Sequence, residues 1–135
     1  MAFLGYLIKV GSFEITGDNI INESSYKATR IIQDVDSYRD ANGVLHRTTL
    51  EHQAMKVEIN TRNGLTNETL AAFLEGIQGQ FTDASQRKAS VECFIPEIND
   101  YVTQEMYMPD PEITINHIDG DIIFYDSVRL AFIGY

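Results

Sequence analysis

The chain has 135 residues, with ten Lys and Arg against twenty Asp and Glu for a net charge of -10, 44% hydrophobic residues and a single cysteine. That length is one domain, 1–135, with enough chain to bury a core. The acidic balance without a Lys/Arg cluster excludes a free-standing nucleic-acid binder, the lone cysteine excludes an internal disulfide, and no apolar run approaches the roughly 18 residues that span a bilayer.

MAFLGYLIKV at the N-terminus is apolar, but it lacks a basic n-region and a small-residue cleavage site, and it runs into VGSFEI. It reads as a first strand and not as a signal peptide. YKATRIIQDV (26–35) is β-branched and aromatic-rich and reads as a second strand. SYRDANGVLHR (37–47) follows, with an Asn42-Gly43 hairpin signal. Ser37, Tyr38, Arg39 and Asp40 make it longer than a tight turn requires. An ordinary solvated hairpin tip and a projecting loop at 36–46 are both open at this point. In the second reading Tyr38, Arg39, Leu45 and Arg47 supply contacts, because Tyr and Arg are enriched in protein interfaces.

LHRTTLEHQAMKVEIN (45–60) reads as one long strand whose apolar phase switches. Leu50 and Ala54 share one parity, while Met55, Val57 and Ile59 share the other, so a bulge or bend is expected near Gln53. A helix over about 66–78 comes next. Thr66 is its N-cap, Glu68 lies in the first turn, and Leu65 and Leu70 have staple spacing. Leu70, Phe73, Leu74 and Ile77 form one apolar stripe, and Gly76 and Gly79 weaken the far end. ASVECFI (89–95) and DYVTQEMYM (100–108) are two more strands, and Cys93 within the first reads as a small buried hydrophobe. EITINHI, a hairpin signal at Asp119-Gly120 and a final alternating strand DIIFYDSVRLAFIGY complete the chain. The fold class is mainly β (α+β): a β-sandwich or split barrel of about six to seven strands with one flanking helix.

The chemical motifs are sparse. His46, His52 and His117 lie too far apart in sequence to suggest zinc. Asp34, Asp36, Asp40 and Asn42 before Gly43 resemble a calcium loop, but Tyr38 takes the place of the third ligand and Arg39 that of the required Gly. Asn116, Asp119 and Asp121 suit turn positions. No G-x-S-x-G, P-loop, H-E-x-x-H or G-x-G-x-x-G is present. No catalytic residue, metal or cofactor is expected, and the chain does not read as an enzyme.

RDANGVLHR (39–47), then MKVEIN (55–60), then the LTNETL helix start resembles small tail proteins of siphophages and prophages. MYMPDPEIT and IIFYDSVRLAFIGY are similar to their paired C-terminal strands, so the resemblance covers roughly 26–135. It implies a virion structural protein of the tail-tube or distal-tail/baseplate kind, made in the host cytoplasm and carried in the phage tail. Such domains form rings, commonly hexameric, around a DNA-conducting channel. The partners implied are copies of the same chain and other tail proteins, with DNA as non-specific cargo and no membrane. It also implies a subunit-interface loop of Tyr38, Arg39, Asp40, Asn42, Leu45 and Arg47. The terminal strand and the 45–60 strand become candidates for a channel-facing sheet, and the acidic balance suits a wall that repels phosphate. Two rivals stand beside this reading. One is a monomeric or dimeric β-sandwich module binding a ligand or host surface through Tyr101, Tyr107 and Tyr125; the other is a hydrolase using paired carboxylates.

Overall fold

The structure, a computed structural model, describes residues 3–15, 20–31 and 34–135. Met1, Ala2, Ile32 and Gln33, which the sequence places in strands, lie outside the described residues. Along the chain come β1 (Ile8–Val10), β2 (Phe13–Ile15), β3 (Ile21–Ile31), β4 (Tyr38–Arg39), β5 (Leu45–His46), β6 (Ala54–Thr61) and β7 (Leu65–Thr66). The helix α1 (Asn67–Gln78) is followed by β8 (Lys88–Ile95), β9 (Asp100–Tyr107), β10 (Ile115–Asp119), β11 (Ile122–Tyr125) and β12 (Arg129–Gly134).

Seven strands form one antiparallel sheet in the order β2-β1-β8-β9-β12-β6-β3, while β10-β11-β7 and β4-β5 form two small sheets. The mainly β class with one helix therefore holds. The sheet curls until its last strand approaches the other end. There the Tyr26 hydroxyl on β3 donates to the Phe94 carbonyl on β8 at 2.5 Å. Burial drives the Tyr26 phenol pKa upward, so it stays a donor at any ordinary pH. Among the described residues no backbone ladder joins β2 to β3, and Leu7, Ile15, Ile21 and Tyr26 line a depression beside them.

Strict alternation explains the core. Met55, Val57 and Ile59 on β6 and Val91, Cys93 and Ile95 on β8 all turn inward, with Phe132 and Leu130 beside them on β12. Helix α1 closes this face with Leu70, Phe73 and Ile77, and Leu74 packs at its margin. Each of those buried side chains contributes about 1.5–3 kcal/mol. Thr66 is the N-cap, and its hydroxyl accepts the Thr69 N–H at 3.3 Å, a contact worth about 1 kcal/mol.

Two expected strands are each broken in two. The 45–60 run is not continuous: β5 pairs only with β4, and β6 begins at Ala54. The expected bend near Gln53 is a complete exit from one sheet before entry into another. The main register shift falls instead on β3, between Asn22 and Lys27, where the Ser25 hydroxyl accepts the Asn60 N–H at 2.8 Å. The terminal run also divides. β11 pairs with β10 and β7, and β12 pairs with β6 and β9. At the division, Thr61 Oγ1 accepts the Val128 N–H at 2.8 Å, and the Ser127 hydroxyl donates to the Thr61 carbonyl at 2.6 Å. These bonds hold the chain as it passes between sheets.

Candidate assembly surface

The arm between β3 and β6 is organised by one carboxylate. Asp40 Oδ1 accepts the N–H groups of Asn42 at 2.9 Å and Val44 at 3.1 Å, while Oδ2 meets His46 Nε2 at 2.9 Å. The Gly43 N–H donates to the Asp40 carbonyl at 3.0 Å, and Gly43 takes φ +79°, which a side chain would resist. The His46 hydrogen bond, followed by the Val44 and Asn42 amides, holds the Asp40 carboxyl below its ordinary pKa. Tyr38 stacks on the His46 ring at 4.9 Å between centroids.

The six predicted interface residues thus divide by task. Asp40 and Asn42 shape the turn. Arg39 turns back to donate to the Gly43 carbonyl at 3.0 Å, and Arg47 pairs with Asp34 at the base at 2.6 Å. Tyr38, 60% exposed, and Leu45 present free apolar surface, with Val35, Val44 and Leu50 nearby. Apart from half-buried Asp40, every residue from 34 to 52 is exposed, so the arm stands away from the core.

A second exposed element escaped the sequence reading. Residues 112–122 are all exposed, including Ile115 at 52% and Ile118 at 62%. Strand β10 is a free edge of its sheet, and the hairpin turns through Gly120 at φ +61°. Isoleucines on a strand normally point into a core, which is why their exposure does not follow from the sequence. A visible clue is that Glu112, Asp119, Asp121 and Asp126 surround them, and no Lys or Arg occurs from 89 to 128.

The outer face of the sheet formed by β3, β6 and β12 has the opposite sign. Lys27 lies across from Glu58, and Asn60 across from Arg129. Glu58 accepts from Arg129 and pairs with Lys56 at 3.2 Å, which holds its carboxyl below the ordinary value. Lys27, Lys56 and Arg129 against Glu58 leave two positive charges there. The chain's excess of carboxylates is therefore not concentrated on this face.

The tyrosines of the rival binding reading are engaged internally. The Tyr101 hydroxyl donates to the Tyr6 carbonyl at 2.8 Å and accepts the Leu4 N–H at 2.8 Å. Tyr107 meets Tyr135 edge-on at 5.7 Å, and Tyr125 packs against the core. His46, His52 and His117 each have a separate partner: Asp40, the Tyr135 carbonyl and Asn116. Among the described residues, no three His, Cys, Asp or Glu converge to hold a metal.

The profile of one protein family, described as "Family of unknown function (DUF6711)", matches residues 1–135. No curated protein matches the chain. Two solved structures are similar to it. A chain of the virion of a native gene transfer agent (GTA) particle is 14% identical, with a TM-score of 0.49, covering 100% of this chain and 94% of that one. A chain of the tail of an empty GTA particle with C6 symmetry is 16% identical, with a TM-score of 0.46 and the same coverage of both chains. At these identities and scores the likeness carries no weight for fold or role.

Proposed function

The chain belongs to the family of unknown function DUF6711, and we propose that it is a structural protein of a phage-type tail, a tube or distal-tail/baseplate ring component that assembles with copies of itself. The observation that carries the reading is that two hairpins stand outside the core with apolar side chains exposed: Tyr38, Val44 and Leu45 on one, Ile115, Ile118 and Ile122 on the other. Free edge strands with exposed isoleucines are ready templates for pairing with another chain. A protein that works as a monomer gains nothing from leaving them uncovered, whereas assembly covers them. The resemblance of RDANGVLHR, MKVEIN and LTNETL to tail proteins supports the same conclusion.

In this reading the role is architectural and not enzymatic. The arm at 36–46 grips a neighbouring subunit through Tyr38 and Leu45, while Asp40, Asn42, Arg39 and Arg47 keep it in shape. The assembly is a ring, hexameric by analogy with tail rings, around a channel that passes DNA without sequence recognition. The protein resides in the virion, next to other tail proteins, after synthesis in the host cytoplasm.

Light scattering on the purified chain, with negative-stain images of the same fraction, tests the proposal. Rings or tubes with a central hole are expected, and replacing 37–46 by a Gly-Gly link should abolish them while the melting transition stays cooperative. A chain that is monomeric at every concentration and salt condition overturns the reading and favours the ligand-binding module.

A further inference from the structure

We propose that the acidic tip of the β10–β11 hairpin of one copy seats in the cationic cleft on the outer face of β3, β6 and β12 of a second copy. This rests on the self-assembly reading above and names its contact.

The cleft has a volume of about 350 Å³ and is lined by Ser25, Lys27, Glu58, Asn60 and Arg129. Glu58 is shared between Arg129 and Lys56 and lies across from Lys27, so one carboxylate stands against three cations. Such a site attracts carboxylates, and this chain, at net charge -10, has them in excess. The matching element is Ile118–Ile122, which places Asp119 and Asp121 on either side of Gly120, with an exposed isoleucine at each shoulder. Its two-residue turn is narrow, and no Lys or Arg lies on the hairpin to oppose entry.

The contact cannot form within one chain. Asp110, Glu112, Thr114, Ser127 and Arg129 border a single depression, so the root of the hairpin lies beside the cleft. The Asp126 N–H donates to the Thr114 carbonyl at 2.9 Å and ties that root. Asp119 is five residues beyond Thr114, about 15 Å along an extended strand. Bending the tip back would break the ladder from Ile115 to Asp119. Tip and cleft are therefore separate, complementary patches on one molecule. A contact between such patches is head-to-tail, and head-to-tail contacts propagate into rings or filaments.

Sedimentation velocity at low and high salt tests the pairing. Wild-type association should weaken between 50 and 500 mM NaCl, because the charges are exposed and the Debye length contracts from about 14 to about 4 Å. A tip variant, Asp119→Lys with Asp121→Lys, and a cleft variant, Lys27→Glu with Arg129→Gln, should each associate about tenfold or more weakly alone. An equimolar mixture should restore association, since the reversed charges then face unlike partners. Lys27→Glu alone, which leaves the Glu58–Arg129 pair intact, is the companion should the double cleft variant melt early. Variants that assemble as the wild type does, or folded variants whose mixture stays dissociated, overturn the pairing and leave the assembly reading standing. A wild type that never associates overturns both.

Discussion

Gly134→Ala probes the junction where the arm enters the main sheet. A methyl at Gly134 would lie 2.5 Å from Gln104 Oε1 and 2.8 Å from the Met55 backbone nitrogen, well inside van der Waals contact. Gln104 is not free to move aside. Its Oε1 accepts the Met55 N–H at 3.1 Å, and its Nε2 donates to the Gln53 carbonyl at 2.8 Å. That clamp closes the start of β6. Displacing it loses two hydrogen bonds at about 0.5–1.5 kcal/mol each. Peeling away residues 134–135 instead loses the bond from the Tyr135 N–H to the Glu105 carbonyl and the Tyr135–Tyr107 contact, a comparable loss. The lower chain entropy of unfolded Ala returns about 0.4–1 kcal/mol. The net destabilisation is about 1–2 kcal/mol, a fall in Tm of about 3–8 °C for a chain of this size. Urea unfolding followed by circular dichroism, on the wild type, G134A, Q104A and the double variant, measures it. The two substitutions should be coupled by about 1 kcal/mol, because without the Gln104 amide the new methyl has less to displace. A neutral or stabilising G134A, or strictly additive singles, refutes the clamp.

Phe73→Ala removes a ring that packs against Phe13 at 6.0 Å and should destabilise by about 3–5 kcal/mol in the same unfolding assay, without changing the helical start at Thr66. Cys93 is fully buried, and burial pushes its thiol pKa up to about 12. A thiol reagent at pH 8 should therefore leave it unmodified in the native chain and react promptly in urea; native-state reaction would contradict the packing. Asp40 has a depressed carboxyl pKa, so its contribution to arm order is complete above the ordinary value of 3.8 and lost as pH falls through the depressed one. The side-chain carboxyl carbon signal of Asp40 should report its protonation only in solution more acidic than pH 3.8, the ordinary value. Asp40→Asn should disturb the Asn42 and Val44 amide signals already at pH 7.

The parts of the fold legible in the sequence are those set by local chemistry. Helix α1 appears within a residue of its expected bounds because its cap, first-turn acid and apolar stripe lie within thirteen consecutive residues, 66–78. β8 and β9 likewise follow from alternation on either side of the Pro96 and Asn99 turn signals. The hairpin is signalled by Asn42-Gly43, and Tyr38 and Leu45 lie on its two short strands. Its internal wiring is not signalled, since nothing in the spacing says that Arg39 returns to Gly43 or that Arg47 reaches Asp34.

Partition among sheets is where the sequence falls silent. DIIFYDSVRLAFIGY alternates apart from Asp126, which alone does not announce that β11 and β12 belong to different sheets. Alternation reports only that successive side chains face opposite ways; it does not report which strand lies alongside. A related limit hid Ile115 and Ile118, because apolar side chains on a strand do not by themselves report whether their face is covered. It also concealed the cationic cleft, since Lys27, Lys56 and Arg129 are scattered over a hundred residues and meet only when β3 and β12 flank β6. The sequence by itself determined the class, the helix and the existence of the arm, because short-range sterics and capping decide them. Tertiary structure alone decided which edges stay open and which charges gather, because those depend on pairings between residues far apart in the chain.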